Sequence, residues 1–333
     1  MIPSVPVDIT AEAPPPSFIR ATLDQSLTVP ALFTRAGEKA TRRLVEFFAA
    51  EIRNPNTRAA YARAVTRFDR WCEEHGLSLE QLTPIHIATY IEAIGRELSK
   101  PTVKQHLAAL RMLGDYLVIG QIIPSNPAGS VRGPKYVLKK GKTPVLTRDE
   151  AKSLLESMPV ESVVGLRDRA LIALMVYSFA RIGAALAMNV EDYHQQGKRW
   201  RLRLHEKGGK DHSVPAHHKL DEYLDAYLNG GQIADDKGTP LFRRLDRRRR
   251  LTSTRLTRRE ALAMVKRRAI AAGLGDQVCN HSFRATGITA YLEGGGTLEH
   301  AQAIAAHESP RTTKLYDRTS DEVSAEEIER IRL

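Results

Sequence analysis

Apolar side chains recur at helical spacing in the first third of the chain, after a polar start dotted with prolines. Beyond Asn54, the residues Tyr61, Val65, Phe68 and Trp71 follow one another at intervals of three or four, with arginines between them. This spacing places the apolar side chains on one face and predicts an amphipathic helix.

Two more helices are predicted downstream. One begins with Thr83 as its N-cap and Pro84 in the first helical position, and it repeats isoleucine at Ile87, Ile91 and Ile94. The other carries aliphatic residues at helical spacing through "KPTVKQHLAALRMLGDYLVIG". The first half of the chain therefore reads as an all-helical domain.

The second half contains both helix and strand patterns. Thr147 and Glu150 form a predicted capping box, and a later apolar helix is predicted to stop just before Arg181. The stretch "KRWRLRLHEKGGKDHSVPAHH" alternates apolar with basic residues and turns at Gly208 and Gly209, which predicts a β-hairpin with lysines at its tip. The predicted fold class is mainly α with a small β-sheet.

These patterns divide the chain into five segments. Residues 1–40 show no sustained periodicity and are expected to form a flexible leader. Residues 41–128 form the helical domain, and residues 129–146 form a linker rich in glycine, proline and basic side chains. Residues 147–320 form the second domain, and residues 321–333 a short C-terminal helix.

The net charge points to a polyanionic partner. The chain has 50 lysines and arginines against 39 aspartates and glutamates, for a formal net charge of +11. Such a surplus can serve solubility alone, but basic chains of this size more often bind nucleic acid. The basic residues are spread along the whole chain, which favours nucleic acid over a membrane surface.

Several other classes of protein are disfavoured. No apolar run is long enough to cross a bilayer, and the N-terminal segment lacks the basic and apolar regions of a secretory signal. Cys72 and Cys279 show no paired spacing, which indicates a fold without disulfides in the reducing cytoplasm.

Six polar residues of the second domain are candidates for chemistry. They are Arg181, Lys207, His281, Arg284, His307 and Tyr316. Each alone has an ordinary explanation, because an arginine can stabilise a helix end, a lysine can lie exposed in a turn, and histidine or tyrosine can pack in a core. Their joint spacing is harder to explain in that way, since "HSFR" places its His and Arg on one helical face.

The stretches that carry these residues are "SFARIGAAL", "HSFRAT" and "AAHESPRTTKLY". Their order and spacing resemble the boxes of the tyrosine recombinases, the family of phage integrases and chromosome-dimer resolving recombinases, which look like T-G-L-R-x-x-E-L, H-x-L-R-H-T and L-G-H-x-x … T-x-x-Y. The likeness spans roughly residues 50–320. It implies a two-domain C-shaped clamp around duplex DNA, with a SAM-like helical core-binding domain and a mixed α/β catalytic domain.

The residue types suit phosphodiester chemistry apart from the resemblance. Attack of an oxygen on phosphorus passes through a state with extra negative charge, which two arginines can bind in bidentate fashion. Arg181 and Arg284 are the candidates. A phenol with a pKa near ~10 needs cationic neighbours to act as a nucleophile at neutral pH. Tyr316 would then attack phosphorus, hold the 3′ phosphate and release a 5′ hydroxyl.

The resemblance implies roles for the other candidates. A lysine of the hairpin protonates the leaving 5′ oxygen, and both Lys207 and Lys210 are available, with Lys207 preferred because it comes first in the turn. His281 assists proton transfer from Tyr316, and His307 donates a hydrogen bond to the scissile phosphate. No cofactor and no metal ion is expected.

The chain departs from the family pattern in three places. Ala184 stands where an acidic residue often follows the first arginine, and Ala285 replaces a histidine often found after the second. The stretch "AAHES" lacks the usual Leu-Gly before its histidine. The first two changes affect residues that would support the arginines, but all six candidates are retained, so an active enzyme is expected.

The resemblance also implies the partners. They are double-stranded DNA with paired inverted half-sites and three further copies of the chain, which form a homotetramer at synapsis and exchange strands through a Holliday junction. Away from synapsis a monomer or dimer is expected. Basic residues outside the six are expected to contact DNA, namely Arg58, Arg67, Lys104, Arg132, Lys135, Lys139 and Lys210.

The predicted C-terminal helix has an apolar stripe that must be buried. Ser324 and Glu327 form a capping box, and Ala325, Ile328 and Ile331 line one face. The stripe can pack on its own domain or on a neighbouring protomer. Related recombinases pass their C-terminal segments around a ring, which favours the neighbour.

Four alternatives remain open at this point. A type IB topoisomerase shares the tyrosine chemistry, and a non-catalytic DNA-binding protein would need only the basic helices. A metal-dependent nuclease would need converging carboxylates, and a zinc site could draw on the histidines near the hairpin, but neither set has the spacing of metal ligands. The residues concerned are Asp168, Asp192, Asp211 and Asp221 for the nuclease and His205, His212, His217 and His218 for zinc.

Overall fold

A computed structural model describes residues 29–136, 141, 143–206, 210–317 and 329. The chain divides into two compact units, residues 1–137 and 138–333. Each unit has its own hydrophobic core. Within the described ranges, no helix is long and apolar enough to span a bilayer.

The first unit is helical throughout its regular structure. Its elements are α1 (Ala31–Arg35), α2 (Glu38–Glu46) with a π-helical turn (Phe47–Glu51), α3 (Pro55–Glu74), a 3₁₀ turn (Leu79–Gln81), α4 (Pro84–Gly95) and α5 (Lys100–Ile119). The predicted start of α4 is confirmed, because Thr83 caps this helix. The side chain of Asn54 accepts hydrogen bonds from two backbone N–H groups of α3 and so caps that helix.

The helical unit begins before the predicted boundary at residue 41. The short helix α1 buries Leu32 and Phe33. The carboxylate of Asp69 in α3 accepts hydrogen bonds from the backbone nitrogens of Ala31 and Leu32, at 3.2 and 2.7 Å. A helix this short is held by tertiary contacts, so periodicity does not reveal it. Residues 1–28 of the expected leader lie outside the described residues.

The second unit mixes helices with two small sheets. Its elements are α6 (Arg148–Glu156), α7 (Val163–Tyr177), α8 (Ile182–Ala187), a 3₁₀ turn (Val190–Asp192), β1 (Tyr193–Gln196), β2 (Arg199–Glu206), β3 (Lys210–Pro215), α9 (His218–Gly230), β4 (Arg243–Leu245), β5 (Leu251–Arg255), α10 (Arg258–Ala271), α11 (Asn280–Glu293), α12 (Leu298–Ile304) and α13 (Pro310–Lys314). Strands β1, β2 and β3 form an antiparallel sheet in that order, and β4 pairs with β5. The predicted fold class is confirmed.

The predicted hairpin is formed by β2 and β3. Leu202 and Leu204 are buried and alternate with arginines that are partly exposed. In the register of the two strands, Leu204 lies opposite His212 and Glu206 lies opposite Lys210. The alternation in the sequence therefore gave the correct face of the strand to the core.

Helix α7 forms the centre of the second core, and it ends earlier than predicted. Its last residue is Tyr177, and Phe179 follows in the left-handed region with φ 53°. This turn leads into α8, for which Arg181 is the N-cap. Arg181 is thus placed at the start of a helix and not at the end of one.

The C-terminal helix predicted over residues 321–333 lies outside the described residues, apart from the exposed Glu329. The same holds for Lys139 of the linker. Both cysteines are free, as the sequence predicted, with Cys72 buried in the first unit and Cys279 at the N-cap of α11.

Candidate active site

Three segments of the second unit converge around Tyr316. They are the turn between α7 and α8, the first turn of α11, and the chain from the end of α12 through α13. Tyr316, Arg284 and His307 are all buried, with 7%, 1% and 7% of their surfaces exposed. Burial of two potentially charged groups and a phenol beside one another needs a chemical reason, because unpaired polar groups are costly inside a protein.

Tyr316 is held by its backbone on both sides. Helix α13 begins at Pro310 with Ser309 as its N-cap, and it ends two residues before Tyr316. The Tyr316 nitrogen donates to the carbonyl of Thr313 at 2.9 Å, and the hydroxyl of Thr289 in α11 donates to the Tyr316 carbonyl at 3.0 Å. The tyrosine near the end of the chain is therefore tied into the domain.

The hydroxyl of Tyr316 lies 2.6 Å from Nε2 of His281. Burial raises the pKa of Tyr316, and the charges of Arg284 and Arg181 offset only part of that increase. His281 is exposed as a whole residue, yet desolvation of its ring, together with Arg284 and Arg181, lowers its pKa. A neutral His281 can accept the hydroxyl proton, which the arginines alone do not remove.

Arg284 is fixed by two backbone carbonyls. One terminal nitrogen donates to Phe179 and the other to Ala305, the latter at 2.6 Å. The Nε–H is buried and has no acceptor among the described residues. Each terminal nitrogen also has a second N–H. An anion bound here would satisfy these donors.

Arg284 is also electrostatically strained. Burial lowers its pKa to about 10, and the charge of Arg181 contributes to that decrease, while Tyr316 and Glu206 act in the opposite direction. Two guanidinium groups therefore act on the same small region. A phosphate is the kind of ligand that such a pair binds.

Arg181 reaches the site from the N-cap of α8. Its Nη1 lies 2.6 Å from Oε2 of Glu206, the last residue of β2. The side chain of Arg181 is 39% exposed, whereas that of Glu206 is 6% exposed. Solvent can therefore reach the guanidinium of Arg181 while its Nη1 is held by the buried carboxylate of Glu206.

His307 stacks on Tyr316, with ring centroids 5.9 Å apart and planes 8° from parallel. Its Nδ1 lies 2.8 Å from the hydroxyl of Thr313, which is fully buried. Burial lowers the pKa of His307 to about 3, with Arg284 and Arg181 adding to the effect. The ring is neutral at pH 7. When Nδ1 accepts the Thr313 proton, Nε2 carries the ring hydrogen and can donate it.

The departure at "AAHES" has a structural cost. Ala306 directly precedes His307, where the family pattern has glycine, and its φ is 47°. A residue with a Cβ loses roughly 1 kcal/mol in this left-handed region. The neighbouring carbonyl of Ala305 is held by Arg284. The arginine therefore contributes to keeping this turn in place.

The structure brings together five of the six candidates, since Lys207 lies outside the described residues. Lys210 is the first residue of β3. In the first unit, Arg58 donates two hydrogen bonds to the carbonyl of Ile52 and Arg67 forms an ion pair with Glu97. The remaining DNA-binding candidates of that unit, Lys104, Arg132 and Lys135, are exposed.

Two site residues were missed by the sequence reasoning. Thr313 occupies the first position of the stretch that resembles T-x-x-Y, so its motif position was available as a signal. Glu206 follows Leu202 and Leu204 at alternate positions, which places a carboxylate on the face of β2 directed toward the core. A charged residue in the buried phase of a strand is itself a sign of a specific partner.

The carboxylates considered for a metal-dependent nuclease have other partners. Asp168 is fully buried and accepts hydrogen bonds from Arg167 and Arg268, and Asp192 accepts them from Arg203 and His205. Within the part of the chain that the structure describes, no group of three or more His, Cys, Asp or Glu residues could hold a metal ion.

Each of the two units matches the model of a known protein family or domain. Residues 144–322 match the model of the phage integrase family, and residues 44–119 match the phage integrase N-terminal SAM-like domain. The first match covers more than half of the chain and includes Arg181, Arg284 and Tyr316.

Two relatives illustrate the similarity in sequence. The chain is 31% identical to the tyrosine recombinase XerC of Chlamydia muridarum (strain MoPn / Nigg) over 248 residues, which cover 73% of this chain and 75% of the relative. It is 28% identical to the tyrosine recombinase XerD of Corynebacterium glutamicum over 271 residues, which cover 78% of this chain and 86% of the relative.

Solved structures show the same fold. The chain resembles the XerH site-specific recombinase bound to difH substrate in a pre-cleavage complex, with a TM-score of 0.64 at 20% identity, covering 94% of this chain and 86% of that one. It also resembles a lambda integrase tetramer bound to a Holliday junction, with a TM-score of 0.64 at 19% identity, covering 94% of this chain and 85% of that one.

Proposed function

Because the chain belongs to the phage integrase family of tyrosine recombinases and is thus a site-specific DNA recombinase, we propose that Tyr316 is its nucleophile. The Tyr316 oxygen forms a bond to the scissile phosphorus, and the bond from phosphorus to the 5′ oxygen breaks. The product is a 3′-phosphotyrosine and a free 5′ hydroxyl. Rejoining is the reverse attack by the 5′ hydroxyl of the partner strand, so no external energy source is needed.

Each neighbouring group has one part in this step. His281 accepts the proton of the Tyr316 hydroxyl, and Lys207 gives a proton to the leaving 5′ oxygen. The unsatisfied donors of Arg284, together with the exposed side of Arg181, bind the non-bridging oxygens as charge develops on them. His307 donates from Nε2 to the same phosphate. No step in this sequence requires a cofactor.

The observation that carries the proposal is the 2.6 Å contact between the Tyr316 hydroxyl and His281 Nε2. A phenol with a raised pKa is a poor nucleophile until a base removes its proton. The contact supplies that base within hydrogen-bond distance. Arg284 then stabilises the phenolate as it forms and the phosphate as it is attacked.

The test is capture of the covalent intermediate. In a DNA duplex with a nick close to the cleavage point, attack releases the short fragment that carries the new 5′ hydroxyl, and its loss prevents rejoining and traps the adduct. We expect a protein–DNA conjugate whose mass maps to the peptide that contains Tyr316, attached through a 3′ phosphate. Attachment at a 5′ phosphate, or cleavage without any conjugate, would rule out this function.

The DNA arrangement is part of the same proposal. XerH was solved on its difH substrate and lambda integrase as a tetramer on a Holliday junction, and we extend both properties to this chain. It would bind paired inverted half-sites as a monomer or dimer and form a homotetramer at synapsis. The cytoplasm as its compartment belongs to this proposal as well.

Cleavage should depend on pH through His281. Its pKa lies below the ordinary value of 6.5, so the neutral form that accepts the Tyr316 proton persists below that pH. We expect single-turnover cleavage to be nearly constant from about pH 8 to about 6.5 and to fall at lower pH, as His281 becomes protonated. The His281→Gln variant should be slower at neutral pH by about 10²-fold and should lose the acidic decline. An unchanged decline in that variant would assign the titration to another group.

The β4–β5 connection extends the proposed DNA interface. The carboxylate of Asp246 accepts hydrogen bonds from the backbone nitrogens of Arg248 and Arg250 and from the Arg250 side chain. The side chains of Arg247, Arg248 and Arg249 are exposed and have no partner among the described residues. The one acidic residue of the turn thus orders it and leaves three positive charges directed outward.

Neutralising this turn should weaken DNA binding in a salt-dependent way. In the variant with Arg247→Gln, Arg248→Gln and Arg249→Gln, the slope of log affinity against log salt should decrease by about 0.9 for each phosphate that the turn no longer neutralises. Fluorescence anisotropy across a salt series measures that slope. The control Asp246→Ala keeps all three charges and should retain the slope. A triple variant with an unchanged slope would remove the turn from the interface.

A further inference from the structure

Arg181 is held by a carboxylate that comes from a different element than the family pattern uses. Ala184, in the first turn of α8, has no group that could pair with a guanidinium, and it is 4% exposed. Glu206 reaches Arg181 from the end of β2, with 2.6 Å between Oε2 and Nη1. The acidic residue that the family pattern has at position 184 is therefore replaced by Glu206, which lies 22 positions after Ala184.

The position of Glu206 in the strand is unusual for an acidic residue. Leu202 and Leu204 occupy the same phase of β2 and are fully buried. A carboxylate in this phase is removed from water and is stable only when it is paired. Its partner Arg181 stays partly exposed, so the pair is not a structural ion pair sealed inside the core.

The ion pair of Glu206 and Arg181 offsets the repulsion between the two arginines of the site. Arg181 and Arg284 both act on the region around Tyr316, and two guanidinium groups directed at one phosphate repel each other before the phosphate is bound. The charge of Arg181 lowers the pKa of Arg284 and that of Glu206 raises it. Glu206 therefore supplies negative charge to both arginines. Glu206 contacts only one nitrogen of Arg181, so the other N–H groups of that side chain remain for a ligand.

We propose that Glu206 is a positioning residue for strand cleavage, which orients the Arg181 guanidinium toward the scissile phosphate in place of an acidic residue at position 184. This inference rests on the proposed function.

The test compares two substrates that differ at one non-bridging position of the scissile phosphate, where a neutral methyl group replaces the charged oxygen. Glu206→Gln is isosteric and keeps an oxygen acceptor, and Glu206→Ala removes the contact. On the natural diester, we expect single-turnover adduct formation to slow about 10-fold in the first variant and up to about 100-fold in the second. DNA affinity should change little, because Arg181 is one contact among many.

On a methylphosphonate at the scissile position, the non-bridging charge is absent and the orientation of Arg181 matters less. Both variants should then fall within about threefold of the unmodified protein. Asp192→Asn serves as the matched control, because Asp192 pairs with Arg203 of the same strand at 2.6 Å outside the site. That variant should lose stability without distinguishing the two substrates.

Three results would overturn the inference. They are diester cleavage at the unmodified rate in Glu206→Ala, equal losses on both substrates, and a substrate difference of the same size in Asp192→Asn. Failure of the proposed function is separate, since it would appear as absence of any adduct with the unmodified protein. Glu206→Gln keeps the test usable if the alanine variant does not fold.

Discussion

The Tyr316→Phe variant should bind its DNA site with unchanged affinity and form no covalent adduct. The substitution removes only the hydroxyl oxygen, which is the atom that bonds to phosphorus. The backbone of Tyr316 is fixed by hydrogen bonds to Thr313 and Thr289, so the phenylalanine ring should keep the position of the tyrosine ring. The expected loss is complete within detection, as follows when a nucleophile is removed from a step that has no alternative.

The fold should tolerate this change. The ring of Tyr316 packs with Ile288 and Ala285 in a small cluster of its own, and those contacts are kept by phenylalanine. Loss of the hydrogen bond to His281 costs about 1 kcal/mol, and the exposed His281 can bind water in its place. Thermal unfolding measures this cost.

Tyr291→Phe is the matched control for the nucleophile. Tyr291 packs against the same cluster, with its ring centroid 6.0 Å from that of Phe179. Removing its hydroxyl should leave adduct formation intact on a nicked substrate. If the adduct instead persists in Tyr316→Phe and disappears in Tyr291→Phe, the nucleophile has been assigned to the wrong tyrosine.

The second large effect is expected at the proton donor. Lys207→Ala should slow cleavage of ordinary DNA by about 10²- to 10⁴-fold, because the leaving 5′ oxygen needs a proton. When sulfur replaces the 5′ bridging oxygen of the substrate, the leaving group departs as a thiolate and does not need a proton. Cleavage of this substrate by the variant should therefore approach the rate of the unmodified protein.

Lys210→Ala provides the comparison for this experiment. Lys210 starts β3 and pairs in register with Glu206, across the hairpin from the end of β2. If Lys207 is the donor, sulfur should rescue Lys207→Ala and give no specific advantage to Lys210→Ala. Rescue confined to Lys210→Ala would transfer the role to that residue, and rescue of neither would place the proton donor outside the hairpin.

Much of this architecture could be predicted, because the signals involved are local. Asn54 and Thr83 cap helices through hydrogen bonds within a few residues, and alternation along β2 needs only the neighbouring positions. Arg284, His307 and Tyr316 became candidates because they stand in short motifs. Such features depend on residues that are close together in the sequence.

What could not be predicted depends on contacts between distant parts of the chain. Helix α1 lies in the first unit because Asp69, 37 residues beyond Leu32, accepts its backbone N–H groups. Helix α7 ends at Tyr177, and the left-handed Phe179 that follows presents its carbonyl to Arg284, 105 residues away. Glu206 likewise becomes meaningful only when β2 is placed beside α8.

The hydrogen bonds from Arg284 to two backbone carbonyls affect which site residues would be retained if the gene were no longer selected for recombination. Tyr316 contributes a hydroxyl that the fold can lose, whereas Arg284 joins the turn after α7 to the end of α12 and supports the strained Ala306. Selection for a folded protein would therefore preserve Arg284 after selection for recombination had ceased. In copies that have drifted to inactivity, the tyrosine should disappear first, and an intact arginine should not be read as a sign of a working enzyme.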